Sequence, residues 1–358
     1  MAKFVERVNS EEKDNDMSVA RFVGHRKGVT ALDVSGDERQ LLSGSEDKTV
    51  RLWDCQQRRG TKCMLECFDT AIEGVAYNKR EVHIIHAVTS RNFYSFDTRM
   101  EGNILIKMPT IRIDNLVNED INALISHRDG GMLAISDDAG IVSVYEIDDN
   151  NCDITLKRRY EHVHSNLVGA LSFSTVNNSI ASGGFDCIAC SWDIDTGVVI
   201  SSENISTQSL LDGAPQVINP PFIQSISYIK NDALLVLALG DGTIRLLNSH
   251  DKSLLSYTSE DVGHRGMVST LQVVNDHYCV TGGIDRTIRF WDVIDKKIKK
   301  GKKIINRTDI NSLMCLDHCE KINVVRTSPQ REDDNLFAKP FYVGDVSSVI
   351  TEYRVTGR

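Results

Sequence analysis

Short alternations of apolar and polar residues run along most of the chain, and no helical period is sustained. TVRLWD (49–54), TIRFWD (287–292) and TIRLLN (243–248) switch from one face to the other at each residue. VTALDV (29–34) and GALSFS (169–174) do likewise, and SEDKT, GFD and GDGT stand between such runs. A period of two is the signature of a strand with a different environment on each face, and Gly, Asp and Ser clusters between runs supply tight turns. No amphipathic helix of ordinary length is evident, so the predicted class is all-β.

The alternation is itself repeated. SGSEDKTVRLWD at 43 is echoed by SGGFDCIACSWD at 182 and TGGIDRTIRFWD at 281, each with a Ser or Thr four residues before the Asp and a Trp six after it. A histidine stands upstream of each: His25 is 22 residues before Asp47, His164 is 22 before Asp186, and His264 is 21 before Asp285. Weaker copies fill the gaps. HAVTSRNFYSFD has Ser90 for the Asp and Phe96 for the Trp, LALGDGTIRLLN keeps Asp241 but has Leu247, and two further copies end on Tyr145 and Tyr353. The closing positions 53, 96, 145, 192, 247, 291 and 353 are separated by 43 to 62 residues. A period near 45 predicts a radial array of four-stranded units. The fold expected is a seven-bladed β-propeller over residues 19–358, with blade ends near 55, 98, 147, 194, 248, 293 and 355. VARFV (19–23) is expected to supply the outer strand of the last blade, and the polar residues 1–18 to form a disordered tail.

Ser, His and Asp together suggest a hydrolytic triad, but a triad is one nucleophile beside one base, whereas this set occurs three times. A structural network accounts for each residue type. The turn Asp bonds backbone N–H groups and the imidazole, the His donates to the Ser or Thr hydroxyl, and that hydroxyl meets the indole N–H. The expected network is His25, Ser43, Asp47 and Trp53; His164, Ser182, Asp186 and Trp192; and His264, Thr281, Asp285 and Trp291. In the other blades the His is absent, and Phe96, Tyr145, Leu247 and Tyr353 serve as fillers that need no indole acceptor.

These residues resemble the WD-repeat family, whose blades carry Gly-His near the start, Asp in a turn and Trp-Asp at the end. The resemblance spans residues 20 to 357, and the family's fold implies the WD-repeat β-propeller. The degenerate blades sharpen it: SDDAGIVSVYEI in the third, HSN opening the fourth, a polar insert before the fifth, and a lysine-rich connection before a Trp-less seventh. That narrower resemblance implies a substrate receptor of a cullin-4 RING ubiquitin ligase, reached through the ligase's propeller adaptor. Many such receptors carry Trp-Asp-any-Arg at a blade end. Here the fourth position is Gln56, Asp195 or Ile294, with Arg58 two residues beyond the first of these.

Composition adjusts the picture only slightly. The longest apolar run, Ala233 to Leu239, is far short of a membrane span, and the N-terminus lacks the apolar core of a secretory signal, so no membrane association is expected. Nine scattered cysteines suit reduced thiols in the cytoplasm, the nucleus or both. Cys63 with Cys67, Cys187 with Cys190, and Cys315 with His318 and Cys319 invite a metal reading. Read as strand residues, Cys187 and Cys190 point to opposite faces, and Cys315 and Cys319 lie about 13 Å apart. No metal or other cofactor is expected. A formal charge of −9 disfavours nucleic acid, although KKIKKGKK (296–303) runs against it as a solvated linker, a nuclear import signal or a local anion-binding patch.

Function is then expected in loops and on the two faces of the ring. The residue before each turn Asp and the third residue after each His surround the channel mouth in such propellers. Leu167 and Phe185 of blade 4 and Met267 and Ile284 of blade 6 would form an apolar docking patch, with Gly240 of blade 5 leaving room between. Arg26, Lys27 and Glu46 of blade 1 would form a charged rim. The insert at 202–222 and the loop at 327–335 are further candidate contacts. The leading expectation is a non-enzymatic scaffold that binds proteins and is monomeric outside its complexes. The alternatives are a scaffold of an RNA-processing or ribosome-assembly complex and a propeller enzyme using the channel mouth.

Overall fold

The computed structural model describes residues 17–99, 104–148, 153–207, 219–258, 262–300, 303–328, 336 and 338–355. These form seven antiparallel sheets arranged as a ring. Blade 1 is Val29–Val34, Gln40–Ser45, Val50–Asp54 and Arg59–Met64; blade 2 is Ile72–Tyr77, Ile84–Thr89, Phe93–Asp97 and Ile111–Ile113. Blade 3 comprises Ile121–Ser126, Met132–Asp137, Val142–Ile147 and Ile154–Tyr160, and blade 4 Val168–Phe173, Ser179–Gly184, Ile188–Asp193 and Val199–Asn204. Blade 5 follows with Ile223–Ile229, Leu234–Leu239, Ile244–Asn248 and Leu254–Tyr257, then blade 6 with Val268–Val273, Tyr278–Gly283, Thr287–Lys300 and Lys303–Asp317. Blade 7 is Ile322–Thr327, Phe341–Asp345 and Val349–Val355 from one end of the chain and Met17–Val23 from the other, paired from Met17 with Val355 to Val23 with Val349.

Strand alternation explains why the ring is stable. Each blade sends every second side chain to one neighbour and the rest to the other. Among the described residues this produces seven apolar clusters, one per blade junction: Leu42, Leu52 and Tyr77 pack between blades 1 and 2, Val144, Ile180 and Trp192 between 3 and 4, and Phe22, Trp53 and Tyr342 between 7 and 1. Every innermost strand carries a bulge after its first residue, at Thr30, Glu73, Asn122, Gly169, Gln224, Ser269 and Asn323. An extra residue there bends the strand and increases its twist at the same end of each blade. Thr30 Oγ1 donates to the Ile72 carbonyl (2.5 Å), and Asn323 Nδ2 to that of Val29 (2.9 Å), stitching neighbouring blades together.

Three differences from the expected layout have plain causes. Strand pairing on blade 7 begins at Met17, two residues inside the segment expected to be a tail; residues 1–16 lie outside the described part. KKIKKGKK is no linker between blades. It is the far end of a hairpin in which the last two strands of blade 6 stay paired from Thr287 with Asp317 out to Lys300 with Lys303. The third strand of that blade therefore runs past 293. Blade 2 also detours before its outer strand: Leu105–Ile106 adds to blade 1 as a parallel fifth strand, with the Cys63 amide donating to Ile104 (2.7 Å). Most of the insert at 202–222 and of the loop at 327–335 lies outside the described residues.

Candidate functional site

The polar sets sit inside the blades. In blade 1, His25 Nδ1 lies 3.0 Å from Asp47, Nε2 lies 2.7 Å from Ser43 Oγ, and the Trp53 indole N–H donates to the same oxygen at 2.8 Å. Blade 4 repeats the chain through His164, Asp186, Ser182 and Trp192 at 3.1, 2.9 and 2.9 Å, and blade 6 through His264, Asp285, Thr281 and Trp291 at 2.9, 2.8 and 2.8 Å. A neutral ring whose Nδ1–H serves the carboxylate must accept at Nε2, so the Ser or Thr hydroxyl donates to the His and accepts from the Trp. That reverses the direction expected for the His–Ser link. Each Asp also takes a backbone N–H, from Arg26, Ser165 or Arg265. Ser43, Ser182 and Thr281 are fully buried. Burial lowers the His25 pKa, and Asp47 opposes this; burial would raise Asp47, but His25 and Thr49 pull it well below the usual carboxylate range. A Cβ on Gly184 would come within 2.7 Å of His164 Nδ1, and one on Gly283 within 2.6 Å of His264 Nδ1, so the second glycine of SGG and TGG makes room for the pair.

The weaker blades solve the same problem in other ways. Blade 7 does contain a histidine, contrary to the expectation for Tyr353: His318 Nε2 lies 2.7 Å from Asp345, and Nδ1 lies 2.7 Å from the Tyr353 hydroxyl. The His318 amide donates to Arg286 of blade 6 just as the His264 amide donates to Gly242 of blade 5, which fixes the equivalence. Its ring is turned over because the carboxylate arrives from the strand end at Asp345, not from the turn. In blade 5, Ile205 donates to Cys187 in the same way and so stands in the His position. Asp241 is paired instead with Arg245 (3.3 Å), whose other arm donates to the Ile205 carbonyl (2.8 Å). Blade 3 has Asp137 accepting the amides of Ala139 and Ile141, both at 3.0 Å. Ser90 of blade 2 bonds Asp120 of blade 3, so it is no local substitute for a turn Asp.

The predicted docking residues share one end of the ring, where the innermost strands begin. The Phe185 amide donates to Leu167 (2.9 Å), that of Ile284 to Met267 (3.0 Å) and that of Glu46 to Gly28 (3.0 Å), a single pairing repeated around the mouth. Blade 5 follows it with Gly240 and Phe222 (2.8 Å). Gly240 therefore does not leave room: Phe222 fills it and stacks on Phe185, ring centres 5.0 Å apart and planes 9° off parallel. Leu167, Phe185, Phe222 and Met267 are half-buried and Ile284 is exposed, making one apolar arc over blades 4 to 6. Val346 of blade 7, 46% exposed, extends it. Arg26, Lys27 and Glu46 are exposed across the mouth. Partial desolvation raises the carboxyl of the exposed Glu73, and Asp120 and Glu46 raise it further.

The WD domain, G-beta repeat family matches residues 17–54, 155–193 and 254–292, windows that end in the three complete polar sets. The chain carries WD repeats. Over 352 residues, 92% of each chain, it is 22% identical to the WD repeat-containing protein 53 homolog of Dictyostelium discoideum. It is 31% identical to Protein tipD of the same organism over 36% of this chain and 19% of that one. A stretch of 38 residues is 60% identical to the human WD repeat-containing protein 18, covering 11% of this chain and 9% of that one.

Three residues of this WD-repeat ring escaped the sequence reading. His318 stands 27 residues before Asp345, outside the 21–22 interval, because the long loop of blade 7 stretches it. Phe222 is displaced by the insert that separates it from Ile205, and Arg245 reads as an ordinary polar strand position. The cysteines are placed apart. Cys187 is a turn residue at φ +63°, not a strand residue as expected, and packs toward blade 5, while Cys190 packs toward blade 3. Cys319 lies beyond the strand that holds Cys315, and both are exposed. Among the described residues no group of three or more His, Cys, Asp or Glu side chains is arranged around a common point, and no helix is long and apolar enough to cross a membrane.

Proposed function

We propose that the protein is a non-enzymatic interaction scaffold that captures a protein partner on the apolar arc of Leu167, Phe185, Phe222, Met267 and Ile284. The observation that carries this reading is the division of labour within the blades. The chemically versatile Ser, His and Asp side chains are buried against one another, whereas large apolar groups remain at turns that would ordinarily be polar. A stacked aromatic pair on blades 4 and 5, with an exposed Ile on blade 6, offers apolar area that a partner can bury. The finer reading is a substrate receptor of a cullin-4 RING ubiquitin ligase, with the arc taking the substrate and another surface the propeller adaptor. It rests on resemblance. Arg58, the nearest arginine following a Trp-Asp end, gives Nε–H to the buried Glu352 carboxylate (2.9 Å) and ties blade 1 to blade 7, though its side chain stays 43% exposed.

The test is affinity purification of the wild type and of the Phe185→Asp, Met267→Asp double variant, with the ligase adaptor and cullin 4 as readouts. A receptor retains adaptor and cullin in both and loses its other partners in the variant. Partner profiles identical in the two proteins would remove the arc from the reading, and absence of the adaptor from both would remove the ligase. The second reading, a scaffold in an RNA-processing or ribosome-assembly complex, is favoured by the lysine-bearing hairpin that extends blade 6. It predicts steeply salt-dependent RNA binding that disappears when those lysines are exchanged.

A further inference from the structure

The other end of the channel has a different chemistry. Where the innermost strands finish, residues from all seven blades line an open cavity of about 370 Å³, the size of a small-molecule site. Aliphatic side chains such as Leu32, Leu124 and Leu171 contribute to its lining, and the polar part includes Ser172, Ser227 and Gln272. Four charged side chains line it: Asp33, Lys79, Arg128 and Arg326. The single carboxylate is already satisfied, since Lys79 Nζ bonds both its oxygens (2.9 and 2.7 Å) and the Tyr77 amide donates to it at 2.8 Å. The two guanidinium groups are not. Arg326 gives one N–H to the carbonyl of its neighbour Val325 (2.9 Å), and among the described residues its remaining donors and all those of Arg128 meet no acceptor. Burial pushes Arg326 below the ordinary arginine value, with Asp33 opposing. Arg326 is half-buried and its free donors face the solvent of the cavity, where their planar fork matches the oxygens of a phosphate or carboxylate. The lining carries three cations against one anion in a chain whose overall charge is −9.

We propose that this cavity is a binding site for a small multivalent oxyanion, held by Arg326 from blade 7 and Arg128 from blade 3 and by hydroxyls between them. The aliphatic residues beside them would lower the local dielectric and strengthen both charge-assisted bonds. Docking on the opposite face does not require it, so either reading survives failure of the other.

Titration calorimetry and thermal melts of the full chain with pyrophosphate, inorganic phosphate and citrate, against sodium chloride at matched ionic strength, test it. Saturable binding with a rise in Tm that chloride does not produce is expected, and the ranking of pyrophosphate against citrate tells a phosphate source from a carboxylate one. Arg326→Met should weaken pyrophosphate at least tenfold while leaving the anion-free melting temperature close to that of the wild type, because the side chain makes a single bond, to its neighbour's carbonyl. Arg128→Gln, at the exposed lip, should weaken binding severalfold with no effect on folding, and serves if the first variant does not fold. Equal shifts in pyrophosphate and chloride, or titrations of both variants that match the wild type, would overturn the proposal.

Discussion

Blades 4 and 2 have the same four strands and opposite interiors. In blade 4 no buried polar side-chain atom among the described residues lacks a partner: Asp186 holds the His164 imidazole and two backbone amides, and Ser182 closes the path to Trp192. In blade 2 the Trp is Phe96 and the turn Asp is gone, yet His86, Thr89 and Ser95 remain fully buried with no partner for their polar side-chain atoms. His86 lies flat against Phe93, ring centres 5.5 Å apart. A polar network contributes only when it is complete, and a fragment of one is a burden that neighbouring blades must offset. Degeneration of a repeat is therefore more than the loss of a signature, because the residues left behind change sign.

The largest expected effect is on the complete side of that contrast. Asp186→Ala would strand a buried imidazole and two amides, at a cost of about 3 kcal/mol, read as a fall in the urea midpoint with an unchanged slope. An effect below about 1 kcal/mol would mean that the network is decorative. Next comes pH. Burial holds His86 neutral down to about 3, whereas the unfolded chain takes up that proton near 6.5. Between those values the unfolded state binds more protons, so stability falls as pH falls, by an amount on the order of 3 kcal/mol for this residue at about pH 4. Asp186 and Asp345 act lower. Burial would raise both carboxyls, but their histidines hold them below the ordinary value, so their contribution is complete above about pH 4 and is lost beneath it. His86→Leu should consequently flatten the pH dependence of Tm above about pH 4 and leave the acid limb in place.

At neutral pH the same variant should be neutral or stabilising by about 1 kcal/mol, while His164→Leu destabilises; two losses of equal size would erase the distinction between the blades. The smallest effect belongs to blade 7, which is intermediate. Tyr353→Phe removes one bond to His318 but leaves the His318–Asp345 pair, and should cost about 1 kcal/mol or less in a denaturation midpoint.

Much of the architecture was legible beforehand, for an identifiable reason. The number of blades, the three complete polar sets and the strand class all depend on residue type at fixed separation along the chain, and a blade is a local unit whose turns and alternation fall within some 45 residues. Legibility failed where separation stopped being fixed. His318 and Phe222 lie beside long loops that lengthen the interval, and Arg245 takes over from a histidine by reaching in from a different strand.

The linear order of residues thus determined which groups recur, and with them the count of sheets and the interior role of Ser43, Ser182 and Thr281. Only the closed ring decided what recurs nowhere: that Phe222 meets Phe185 across a blade junction, that Arg128 and Arg326 from blades 3 and 7 face one cavity, and that a lysine-rich stretch is the end of a hairpin. Those juxtapositions come from curvature and closure, which sum the twist and packing of all seven sheets, and no window of the sequence shorter than the ring contains that sum.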